Sequence, residues 1–182
     1  MRSKLVLSLV FILLGAAGAA AQVKNNSSKI PAADVFTDKA KRFSIELPGK
    51  PFDTKTNEGP EKGGSETQYK WLLQEGAVFV VVTNFKEKAF DSQKDFDAYL
   101  KDLLLQLEDV PTLRTVSQKP LPLGKFYGAE ICRQSPKGKT VFTRIFARGR
   151  VMYTLTASLE EKVKDAQPLM IAALDSFKIT VK

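Results

Sequence analysis

The run Val78-Phe-Val-Val-Val82 places the tightest limit on what this chain can fold into. Successive side chains of a strand point to opposite faces, so an unbroken apolar run needs cover on both sides. Residues 78–85 therefore read as a central strand with a packed layer above and below. In the preceding strand Thr67, Tyr69, Trp71 and Leu73 share one face, and Glu75-Gly76 is the tight connection between the two. Earlier still, Phe43-Ser-Ile-Glu-Leu47 alternates apolar and polar and stops at Pro48-Gly49, with a short strand at Val35-Phe36 as its hairpin partner. Lys50 to Ser65 carries Gly59-Pro60 and Gly63-Gly64 among charges and reads as a long loop.

After this β-rich start the apolar period changes from two to that of a helix. Ser92-Gln-Lys-Asp95 resembles a capping box, with Asp95 in the place usually held by Glu or Gln. Phe96, Tyr99, Leu100, Leu103, Leu104 and Leu107 then form one stripe at helical spacing, which reads as a core face. Strands follow near Leu113–Gln118, Lys125–Gln134, Thr140–Arg148 and Val151–Ser158. Turns at Ser135-Pro-Lys-Gly138 and Arg148-Gly-Arg150 join the last three. A helix from about Ala166 to Leu174, with Asp165 as N-cap, and a last strand Phe177–Val181 end the order. Helices set apart from an antiparallel meander give an α+β domain, an antiparallel β-sheet flanked by helices.

The N-terminus has its own logic. Arg2 and Lys4 precede the apolar run Leu5–Leu14, and small residues follow up to Ala19-Ala20-Ala21. This is the pattern of a signal peptide over residues 1–21, removed on export. Residues 22–33 are polar and without period, a flexible lead-in to a single domain over 34–182. The expected location is thus the periplasm or the outside of the cell, with no integral membrane segment once the signal is gone. Cys132, the sole cysteine, cannot form an internal disulfide and reads as a buried, inert strand residue.

Chemistry is constrained by what the chain lacks. Without histidine there is no Ser-His-Asp or Cys-His nucleophile and no imidazole metal ligand. Gly138-Lys139-Thr140 looks like the end of a P-loop, but Arg133 stands where the motif needs glycine, and a strand follows where it needs a helix. Glu160-Glu161 reads as a solvated charge pair. No catalytic, cofactor or metal residue is assigned. Charge distribution is the one feature above background. Residues 22–110 hold 13 basic and 15 acidic residues, whereas 111–158 hold nine basic residues and one acid, Glu130. Phe142, Arg144, Phe146 and Arg148 share a strand face by period two, with Lys137, Lys139 and Arg150 at its turns. Two readings stay open: arginine stems lying over sheet or helix with their heads in water, or a surface attracting anions.

Four segments together carry a family resemblance: Arg42-Phe-Ser-Ile-Glu-Leu-Pro48, Gly124-Lys-Phe-Tyr-Gly128-Ala, Gly149-Arg-Val-Met-Tyr153-Thr-Leu and Leu174-Asp-Ser-Phe-Lys-Ile179. They resemble the PsbP-like superfamily, which takes in the extrinsic PsbP protein of photosystem II and the exported bacterial DcrB- and LpqN-type proteins. The family's usual tryptophan soon after the first proline is absent; Gly49-Lys50-Pro51 stands there. The resemblance implies an α/β/α sandwich and a non-enzymatic, exported binding or assembly-support role. The expected interaction residues are Lys137, Lys139, Arg144, Arg148 and Arg150, facing an anionic envelope component or an acidic protein rather than nucleic acid. The alternative is a carrier of a small apolar ligand, held between helix and sheet by Tyr69, Trp71, Phe79 and Phe85.

Overall fold

A computed structural model describes residues 33–59, 63–73, 76–110, 112–160 and 167–180. The expected signal segment, most of the lead-in, the Asp165 cap and Glu161 lie outside the described residues. The strands are β1 (Asp34–Thr37), β2 (Phe43–Leu47), β3 (Asp53–Glu58), β4 (Ser65–Leu73), β5 (Gly76–Asn84), β6 (Arg114–Pro120), β7 (Tyr127–Gln134), β8 (Thr140–Arg148), β9 (Val151–Leu159) and β10 (Lys178–Ile179). Two helices, α1 (Gln93–Glu108) and α2 (Gln167–Asp175), complete the set among the described residues. A seven-stranded sheet runs β3-β4-β5-β9-β8-β7-β6 and a three-stranded sheet runs β1-β2-β10; every neighbouring pair is antiparallel.

β5 lies inside the large sheet, between β4 and β9, as its two-sided apolar run requires. One face of the sheet, here the front, carries Tyr69, Trp71, Val78, Val80, Val82, Tyr153 and Leu155. These pack against Phe43, Ile45 and Leu47 of β2, Met170 and Leu174 of α2, and Phe177. The back face carries Val141, Ile145, Ala147 and Met152 of β8 and β9 and Ile131 of β7. Phe96, Tyr99, Leu100, Leu103 and Leu107 of α1 lie on it, five of the six residues of the predicted stripe; Leu104 is half-buried at its margin. Ser92 caps α1 as expected: its side chain accepts from the Asp95 amide, and the Asp95 carboxylate accepts from the Ser92 amide.

Two expectations are corrected. The front face is covered by a second sheet as well as a helix, because β2 is short, half-apolar and able to pair on both edges. And residues 53–58, read as loop, form β3 in register with β4 from Asp53↔Lys70 to Glu58↔Ser65. Its sequence, Asp-Thr-Lys-Thr-Asn-Glu, buries almost nothing, so no hydrophobic period marks it. Backbone pairing alone makes it a strand, and its polarity suits an exposed sheet edge. β6, the opposite edge, is exposed throughout and bulged between Thr115 and Ser117.

At Gly76 the β5 backbone passes so close to β9 that a Cβ there would sit 1.9 Å from the Ser158 carbonyl oxygen. Both partners are backbone of adjacent inner strands, where β5 begins and β9 ends, so a side chain at 76 forces one of them to shift. Gly76→Ala is expected to lower stability by about 3 kcal/mol, the upper range for overpacking, as read from a urea midpoint.

Candidate basic interface

The nine cations of the 111–158 segment meet very different fates. Arg133 points to the back face, is 2% exposed, and donates from Nη2 to the Leu107 and Leu113 carbonyls. It thereby satisfies carbonyl oxygens at and beyond the end of α1, a structural task; burial lowers its pKa. Arg144 points to the front face, is 6% exposed, and pairs with Glu130 at 2.7 Å and with Asp175 of α2 at 2.6 Å. Lys119 pairs with the other oxygen of Glu130 at 2.8 Å, so Arg144, Glu130 and Lys119 form a ladder of alternating sign across β8, β7 and β6. Burial works to raise the Glu130 pKa, but the hydrogen bonds and charges of Lys119 and Arg144 outweigh it and hold the carboxyl below its usual value.

Arg144 is therefore corrected as an interaction residue. The period-two reading of Phe142, Arg144, Phe146 and Arg148 holds, but the face they share is the inward one. Its guanidinium is tied to two carboxylates and the side chain is almost wholly buried. The remaining candidates are split. Lys137 is exposed and Lys139 half-buried at the β7–β8 turn, with Lys139 paired to Glu160 at 3.2 Å. Arg148 and Arg150 are exposed at the β8–β9 turn. The nine residues of β8 separate the two turns, roughly 26 Å at strand rise, so the five do not form one patch. Gly138-Lys139-Thr140 leads into strand β8, as the rejection of a P-loop requires.

Cys132 is half-buried on β7, and burial together with Glu130 pushes its thiol pKa up, away from reactivity. The carrier lining is also dispersed. Tyr69 and Trp71 lie in the front core, ringed by Phe36 and Phe43 at 5.2–5.6 Å. Phe85 lies in the back core against Phe90, and Phe79 packs apart with Ala77 and Leu72. The four aromatics occupy both sides of the sheet and do not enclose one space.

What sequence reasoning missed is the contribution of the β1–β2 turn. Asp38 is 1% exposed, and its carboxylate accepts from the amides of Arg42 and Phe43, from Arg42 Nε at 2.7 Å and from the Tyr69 hydroxyl at 3.4 Å. Burial tends to lower the Arg42 pKa, but Asp38 outweighs that and raises it. With Asp38 so neutralised, Lys39 and Lys41 stand exposed on either side of Ala40. They belong to the half of the chain with excess acid, so a count by segment hides them.

No family model matches the sequence. A comparison with curated proteins gives no match. Among solved structures, the cyanobacterial PsbP of Synechocystis superposes with a TM-score of 0.53 at 8% identity, over 87% of this chain and 98% of that one. A Pseudomonas aeruginosa protein of unknown function aligns over 83% and 99% at 12% identity and a TM-score of 0.47. The Saccharomyces cerevisiae Ran-binding protein Mog1p aligns over 81% and 95% at 7% identity and a TM-score of 0.41. The superposition on the cyanobacterial protein, nearly complete for that chain, carries the conclusion that this chain has the PsbP-like fold.

Proposed function

We propose that this protein is an exported, non-catalytic interaction or assembly-support module that docks to an anionic envelope surface or an acidic protein. The observation that supports it is a residue of charge that the fold does not consume. Of the meander's nine cations, Arg114, Lys125, Lys137, Arg148 and Arg150 are exposed and have no ion-pair partner among the described residues. They stand at the two ends of the meander rather than on its sheet face. Within the described residues no helix is long and apolar enough to cross a membrane.

Docking by exposed charge is screened by salt. Binding of the purified protein to envelope extract should be strong near 0.01 M salt and weak near 0.15 M, as the Debye length falls from about 30 Å to about 8 Å. Pull-down across that series checks it; capture that ignores salt, or none at any salt, sinks the reading.

A further inference from the structure

Three turns that are far apart in sequence meet at one end of the sandwich. Tyr153 of β9 is their common support. Its hydroxyl donates to the Arg42 carbonyl at 3.5 Å, and its ring lies 6.4 Å from Phe43 and 5.9 Å from Phe126. The β1–β2 turn (38–42) and the β6–β7 connection (121–126) therefore both rest on it. Tyr153 pairs with Phe146, two residues before Arg148, and Arg148 Nη1 donates to the Lys125 carbonyl at 2.6 Å. Exposed on these turns are Lys39, Lys41, Lys125, Arg148 and Arg150. The one acid in the same three turns is Asp38, buried and held by Arg42.

The β8–β9 turn is built rigidly. Gly149 at φ +58° stands first in a two-residue loop, the position a type II′ hairpin reserves for glycine. Its amide donates to the Phe90 carbonyl at 2.8 Å, and its carbonyl accepts from Ala89 and Phe90 at 2.9 and 3.1 Å. The Arg150 carbonyl accepts from Phe85 at 2.8 Å. Two arginines flanking a pinned turn can meet carboxylates in the bidentate mode at little ordering cost. Lys41 adds an independent sign. It is the non-glycine residue with positive φ (53°) among those described, in a conformation that glycine takes freely and lysine only under strain. Strained backbone of this sort gathers where a side chain is kept for use.

We propose that the turns 38–42, 121–126 and 148–150 form one docking surface for an acidic segment of a protein partner. The inference rests on the docking reading above and locates its site. A protein is favoured over a bilayer because the exposed large apolar residues among those described, Val35, Phe52, Leu105, Val116 and Leu169, all lie outside these turns. The surface thus offers charge and hydrogen bonds with no exposed large apolar side chain to enter lipid.

The test uses the full chain, a labelled oligoglutamate peptide, and vesicles of phosphatidylglycerol with phosphatidylcholine. Arg148→Glu with Arg150→Glu should weaken peptide binding by about tenfold or more, whereas Arg114→Glu with Lys137→Glu, at the far end, should change it by less than about twofold. Lys41→Gly should weaken binding severalfold while its melting temperature stays level or rises, a combination a purely structural lysine would not give. Sensitivity at the far end alone overturns this surface and leaves the docking reading standing. Tighter binding to the vesicles than to the peptide, lost in the same Arg148 and Arg150 variant, overturns the choice of a protein partner. Failure of the unaltered chain to bind either probe overturns the docking reading, and this inference with it.

Discussion

Glu130→Ala is expected to cost about 3–5 kcal/mol of stability, far more than a surface ion pair would. The carboxylate sits between two cations of the cross-strand ladder, and one of them, Arg144, is 6% exposed in the front core. Removing Glu130 leaves that guanidinium with Asp175, which is mostly exposed, as its one ion-pair partner among the described residues. The penalty is thus an incompletely paired buried charge rather than the loss of a favourable bond. Replacing Glu130 and Arg144 together by leucine and methionine should therefore cost much less than the single change, and the difference in urea midpoints gives the coupling. The pH dependence follows from the same geometry. Glu130 has its folded pKa held below the ordinary 4.5, so its contribution is full above about that pH. It is lost as pH falls through the lowered folded value. Acid titration of stability should show a decline below about pH 4.5 that is smaller in Glu130→Gln than in the unaltered chain.

The sequence displays its fold where burial leaves a period, and conceals it where backbone alone does the holding. β5, the capped helix α1 and the turns around Gly138 and Gly149 all carry local signals that survive in three dimensions. β3 carries none, because an edge strand of six polar residues satisfies its ladder on one side and exposes everything else. At Arg144 the charge reading went wrong for a related reason. Period two correctly placed Arg144 beside Phe142 and Phe146, but a face shared with two phenylalanines is a core face, and the arginine on it needs internal carboxylates. Asp175, which supplies one, lies some thirty residues further on, so no local window links them. Lys39 and Lys41 were hidden by the opposite error: a segment total of mixed sign masks a turn whose acid is buried.

Phe43→Ala should be the second severe change, at about 3–5 kcal/mol, and its consequences should be regional. Phe43 is fully buried and contacts four other aromatic rings: Phe36, Tyr69, Tyr153 and Phe177, with centroids 5.3–6.4 Å away. These rings come from β1, β4, β9 and the segment after α2. One side chain therefore ties the small sheet to the large one and to the end of the chain. β1 and β10 add only four and two residues to that sheet and, among the described residues, pair with no other strand than β2. Truncation should thus loosen β1, β2 and β10 first, while β5, β9 and β8, paired along nine residues each, stay protected. Hydrogen exchange should show amides of residues 34–47 and 178–179 accelerated well before those of 77–83 and 152–158. The Asp38–Arg42 turn belongs to the loosened part, so the same variant should lose affinity at Lys39 and Lys41 even though neither residue is touched. Uniform acceleration across both sheets would show instead that they unfold as one unit, with Phe43 no more than a share of a common core.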